Sequence, residues 1–153
     1  MRALLAVAIL VLTAAASGQD SLGDAFDTDV LVIEASRHAC HRFDIYLAVT
    51  GEQQRRGLMF VRELPQTTGM LFVYESAAMR SMWMKNTFIP LDIAFIRADG
   101  SIANIAKGTE PQSLRSIRSD GPVTYVLELN AGVTDRLHVD TDSRVLWGPV
   151  FEQ

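Results

Sequence analysis

The chain has 153 residues and a net charge of −4, enough for one domain with its own hydrophobic core and short for two. Fourteen basic residues stand against 18 acidic ones with no run of Lys or Arg, which argues against nucleic acid and anionic membrane surfaces as partners. The single cysteine, Cys40, excludes an intrachain disulfide, and as a small apolar thiol it is expected to be buried.

The first segment reads as a secretory signal peptide over residues 1–18. Arg2 supplies a positive charge, Ala3 to Ala16 form an almost unbroken apolar run, and small residues up to Gly18 follow. The run is shorter than the roughly 20 residues that cross a bilayer, so no integral span is expected after cleavage. From this pattern the protein is expected outside the cytoplasm, in the periplasm or beyond. Residues 19–29 are small, acidic and aperiodic and read as a flexible lead-in. A single globular domain is expected from residue 30 to residue 153.

From Val30 the pattern becomes strand-like. Val30 to Ile33 form one apolar run, and in the next, Phe43, Ile45, Leu47 and Val49 share a face by period two. Thr50 with Gln53 three residues on is a capping-box pattern, followed by good helix formers and then Gly57, so a short helix is predicted there. Met70 to Tyr74 read as a further strand. Leu91 to Ile96 and Ile102 to Ala106 flank the turn signal Asp99-Gly100 and read as a hairpin. The polar stretch from Thr109 to Pro122 reads as a surface loop. Val123 to Asn130 read as a strand with Val123, Tyr125, Leu127 and Leu129 on one face, Ala131 to Leu137 as a helical turn, and Arg144 to Trp147 as an edge strand. Many short strands with one or two short helices predict a mainly β, α+β domain, antiparallel and barrel-like.

Between the strand ending at Tyr74 and the hairpin lies the block Trp83-Met84-Lys85-Asn86-Thr87-Phe88-Ile89-Pro90-Leu91-Asp92. It holds one of only two lysines in the chain, the other being Lys107. Trp83, Phe88 and Leu91 are expected in the core. Strand alternation turns Asp92 away from Leu91, Ile93 and Phe95, and turns Glu128 and Asn130 away from Leu127 and Leu129. Two strands could thus each offer a carboxyl beside Lys85 and Asn86, with Lys85 paired to Asp92 or Glu128 because a buried charge needs a partner.

Other constellations carry less. His38, Cys40 and His41 are close in sequence, but His41 points away from the other two on a strand, and a thiol nucleophile there would lack an orienting group. Met79, Met82 and Met84 have thioethers of the kind that hold Cu(I), although methionine is more often a core filler. Glycine-rich phosphate loops and Gly-x-Ser-x-Gly are absent, and no cofactor is expected.

Four blocks in order resemble domain-of-unknown-function family 192. They are Arg56-Gly57-Leu58-Met59, Gly69-Met70-Leu71-Phe72, the Trp83 to Asp92 block, and Val126-Leu127-Glu128-Leu129-Asn130-Ala131-Gly132. The resemblance implies a compact, mostly β domain with a short helix, commonly exported, and implies no activity. Tyr46 stands where that family usually has a glutamate, so chemistry resting on that acid is not expected here. His38, Cys40, Met79 and Met82 lie outside the blocks.

The leading functional expectation is a module that binds a small polar ligand, a sugar or peptide, through Arg56, Lys85, Asn86, Asp92, Glu128 and Asn130. The alternatives are an envelope hydrolase or lyase with Asp92 and Glu128 as acid/base pair and Lys85 steadying negative charge, a structural or assembly partner with a fully packed block, and a Cu(I)-binding protein.

Overall fold

The computed structural model describes residues 22–36 and 38–148, so the signal-peptide segment lies outside the described residues. In chain order the elements are α1 (Leu22–Ala25), β1 (Asp27–Glu34), β2 (Cys40–Ala48), α2 (Gly51–Arg56), β3 (Thr68–Ala78), β4 (Ser81–Met82), β5 (Leu91–Ile96), β6 (Ile102–Ala106), β7 (Ile117–Arg118), β8 (Val123–Asn130), α3 (Val133–Arg136) and β9 (Arg144–Leu146). The domain is mainly β, as expected, with three short helices among the described residues where one or two were predicted. Part of the expected lead-in is ordered: α1 and the start of β1 occupy it, and Phe26 is buried there. The expected loop from Thr109 to Pro122 also contains β7, which pairs with β4.

Seven strands form one sheet in the order β6-β5-β8-β3-β2-β1-β9. Its two ends approach each other, because Val145 N donates to Gly100 O at 2.9 Å and Ser101 bridges Arg144, so the sheet nearly closes into a barrel. Pairing is antiparallel except between β2 and β3. That parallel pair requires a crossover, and α2 supplies its helical part. The crossover helix begins as the sequence predicts. Thr50 Oγ1 accepts from Gln53 N at 3.2 Å and the Gln53 side chain accepts from Thr50 N at 3.0 Å, satisfying two otherwise orphaned donors. Gly57 ends the helix with φ of 46°, a conformation that glycine adopts without a Cβ penalty.

Over β3, β5 and β8 both faces of the sheet are covered, and this decides where Asp92 and Glu128 sit. The inner face packs Leu31, Ile33, Phe43, Ile45, Leu71, Leu127 and Leu129 inside the barrel. The outer face of β3, β5 and β8 packs Met70, Phe72, Ile93, Phe95 and Val126 beneath Leu58, Leu64 and Met84 from the connecting segments. A strand buried on both sides carries apolar residues at successive positions, and all six residues of β5 are buried. Gly69 lets β3 and β8 approach closely: a Cβ there would stand 2.7 Å from Glu128 O and from Leu129 Cδ2.

Candidate functional site

The block from Trp83 to Asp92 is fastened by its own backbone. Thr87 N donates to Met84 O and Met84 N to Ser113 O, both at 3.0 Å, while Asn86 O accepts from Phe60 N at 2.8 Å. Asn86 takes the left-handed conformation at φ of 55°, one asparagine tolerates better than most residues. Met84 is fully buried as the anchor and Thr87 is buried beside it, which leaves Trp83 and Lys85 turned outward. Trp83 is therefore not the expected core residue; it is 50% exposed, with Lys85 Nζ 5.2 Å from its ring centroid. Phe88 is only partly buried, edge-on to Phe60 and beneath Arg62, whereas Leu91 is in the core as expected.

Arg56, Lys85 and Glu128 come together on the outer face. They line a cleft of about 100 Å³ with Tyr74, Met82 and Trp83. Glu128 sits in β8 directly between Met70 of β3 and Ile93 of β5, and is only 4% exposed. Burial pushes its carboxyl up to about 8, and among the described residues none donates a hydrogen bond to it. Tyr74 is held above its usual range by burial, with Arg80 acting against the shift and Glu128 adding to it. Its hydroxyl donates to Met82 Sδ at 3.9 Å and its ring carries the Arg80 guanidinium at 3.8 Å. Tyr74 was not singled out from sequence. The available signal is alternation, which puts it on the face of Phe72 and Met70, two and four residues before it.

The other predicted members are elsewhere. Asp92 pairs in register with Leu129, while Glu128 pairs with Ile93, so the two carboxyls lie on opposite faces of the sheet. Asp92 is 1% exposed and fully engaged. Its Oδ1 accepts from Gly108 N at 2.9 Å, and its Oδ2 accepts from Thr134 N at 3.0 Å and Thr134 Oγ1 at 2.7 Å. It ties the start of α3 and the segment after β6 to β5, and an acid/base pair of Asp92 with Glu128 is not formed. Asn130 donates from Nδ2 to Leu64 O at 2.8 Å and Pro65 O at 3.1 Å, facing a different, open cleft beside Arg62 and Pro90. Asn86 donates to Met59 Sδ at 3.9 Å. Lys85 makes no ion pair with Asp92 or Glu128 and is exposed.

The remaining candidates are dispersed too. Met79 is 60% exposed, Met82 receives the Tyr74 hydroxyl, and Met84 Sδ accepts from Thr109 Oγ1 at 3.2 Å within the core, so each sulfur has a separate setting. Cys40 is exposed at the start of β2 rather than buried. His38 lies 4.0 Å from Glu34, and no three His, Cys, Asp or Glu side chains among the described residues converge on one point. No helix among the described residues is long and apolar enough to cross a membrane.

Fold and site define a small barrel-like β domain with an outer-face cleft built around one buried carboxyl. The chain belongs to the DUF192 family, described as uncharacterized ACR, which it matches over residues 32–147. A crystal structure of a candidate transcription regulator from Sinorhizobium meliloti 1021 is 38% identical with a TM-score of 0.77, covering 78% of this chain and 93% of that one. Another, of a protein of unknown function from Novosphingobium aromaticivorans DSM 12444, is 35% identical with a TM-score of 0.76, covering 78% and 85%. No curated protein matches the chain.

Proposed function

We propose that the protein is a small-ligand-binding module of the cell envelope that recognises a polar group, of the kind sugars and peptides carry, through Glu128. One observation carries this reading: a nearly fully buried carboxyl that takes no hydrogen bond from the described residues and opens on a cleft. Buried polar groups are almost always bonded, and leaving one unserved costs roughly 1–3 kcal/mol. With no donor from the described residues, the Glu128 carboxyl is left to what enters the cleft, and a displaced pKa in a cleft marks a candidate functional position. Lys85 on the cleft lining favours a ligand with acceptor oxygens. A purely structural role for the block would fill the space beside Glu128, and the cleft speaks against it.

Placement in the envelope rests on the Arg2, Ala3 to Ala16 and small-residue pattern. Fractionation of the producing cell with N-terminal sequencing of the mature chain tests it, and an intact Met1 in the cytoplasmic fraction refutes it.

The binding reading is tested by a thermal-shift screen of small sugars, amino acids and peptides. A ligand at 100 times its Kd adds about 2.7 kcal/mol of stability. Hits should stabilise the wild type and leave Glu128→Ala unmoved. Equal shifts in both proteins for every hit would show that the cleft is not the site.

A further inference from the structure

The Glu128 cleft does not end at Trp83. A second cleft of about 290 Å³ shares Ser81, Met82 and Trp83 with it and continues to Leu114 and Ser116. Its two hydroxyls share one hydrogen bond, Ser81 Oγ lying 2.7 Å from Ser116 Oγ, and Ser116 Oγ also accepts from Arg118 Nε at 3.3 Å. The rest of the lining is weakly polar or apolar: the Met82 side chain, the indole of Trp83 and the Leu114 side chain, the last two 50% and 70% exposed. These are held in place rather than loosely displayed. The β4–β7 pairing of Ser81 with Arg118 and Met82 with Ile117, and the bond from Met84 N to Ser113 O, fix the Leu114 segment against the block. A polar cleft with a buried carboxyl thus runs into an apolar one along a common tryptophan wall.

We infer that the ligand is a small amphiphilic carboxylic acid, its carboxylate against Glu128 and Lys85 and its apolar chain or ring laid across Trp83 towards Leu114. This deepens the binding reading above and rests on it. The head group follows from the donors. In its neutral form, which burial favours, the Glu128 carboxyl donates as well as accepts, and a bond to an anionic oxygen is roughly twice as strong as one to a neutral acceptor. Lys85 Nζ, in the Glu128 cleft and above the indole that both clefts share, meets the same charge. A neutral amide would gain the hydrogen bond without the charge. The tail follows from the lining, where exposed Trp83, Leu114 and Met82 gain free energy only by leaving water.

The test is titration of the full chain at pH 6.5 with octanoate below its micelle concentration, octanamide and acetate, read by calorimetry and tryptophan emission. Octanoate should bind about tenfold more tightly than either acetate or octanamide and change the emission of the wild type but not of Trp83→Phe. Leu114→Ser, a surface change that the fold tolerates, should weaken octanoate severalfold to about tenfold and leave acetate unchanged. Acetate binding as tightly as octanoate, or octanoate indifferent to Leu114→Ser, overturns the two-part ligand. Octanamide equal to octanoate overturns the acidic head group. Silence towards all three probes, alongside polar hits that depend on Glu128, overturns the amphiphile and spares the binding reading. Silence in both experiments overturns both.

Discussion

Asp92 and Glu128 are both buried, on adjacent strands and one register step apart, yet they belong to different worlds. On the inner face Asp92 accepts three hydrogen bonds that tie β5 to Gly108 and to the start of α3. On the outer face Glu128 accepts none from the described residues, and its carboxyl rises to about 8. Burial alone therefore says little about a carboxyl's role. A saturated one is a structural fastener, whereas an unsaturated one beside a cleft is the position from which the ligand site is proposed.

The sharpest way to break this contrast is to remove the fastener. Asp92→Ala leaves three donors without their acceptor at a buried position, and should cost about 4 kcal/mol in denaturant unfolding. A loss below about 1 kcal/mol would mean that water replaces the carboxyl and that the contrast is false.

Next comes the pH dependence of Glu128. Its folded value of about 8 lies above the ordinary 4.5, so between those pH values the folded state keeps a proton that the unfolded chain has released. Stability must then fall as pH rises through that window, with a slope approaching about 1.4 kcal/mol per pH unit, and level off above it. Glu128→Gln removes the slope. From pH 5 to pH 8 the wild type should lose on the order of 3 kcal/mol relative to the variant, and parallel stability curves would refute the raised value.

Two smaller effects sharpen the comparison. Thr134→Val deletes the hydroxyl bond to Asp92 and should cost about 1–2 kcal/mol, measured by unfolding midpoint, with no effect on ligand binding. Thr50→Ala removes the cap of α2 and should cost about 1 kcal/mol by the same measurement. A binding change in Thr134→Val would mean that the two faces communicate.

Much of the secondary structure was legible because its signals are local. The cap of α2 needs only Thr50 and Gln53, and the β5–β6 turn only Asp99 and Gly100. The helix Leu22–Ala25 and the Ser81–Met82 to Ile117–Arg118 pair were not legible, since one is a single turn and the other only two residues on each side. In the candidate site, Arg56, Lys85 and Glu128 were named from sequence and share one cleft, while Asp92 and Asn130 are engaged elsewhere. The lone cysteine and Trp83 were both expected inside and are outside, because apolar character alone does not decide burial.

The sequence by itself determined the strands, the capped helix and which residues alternate along each strand, since the pleat turns successive side chains to opposite faces. It placed Asp92 opposite Ile93, and Glu128 opposite Leu127, correctly. Only the tertiary structure decided how those faces correspond between strands. In a sheet covered on both sides either face of β8 could meet the apolar face of β5, and a shift of one residue exchanges them. The register Ile93 to Glu128 made that choice, sending one carboxyl into the barrel's hydrogen bonds and the other to the cleft beneath Trp83.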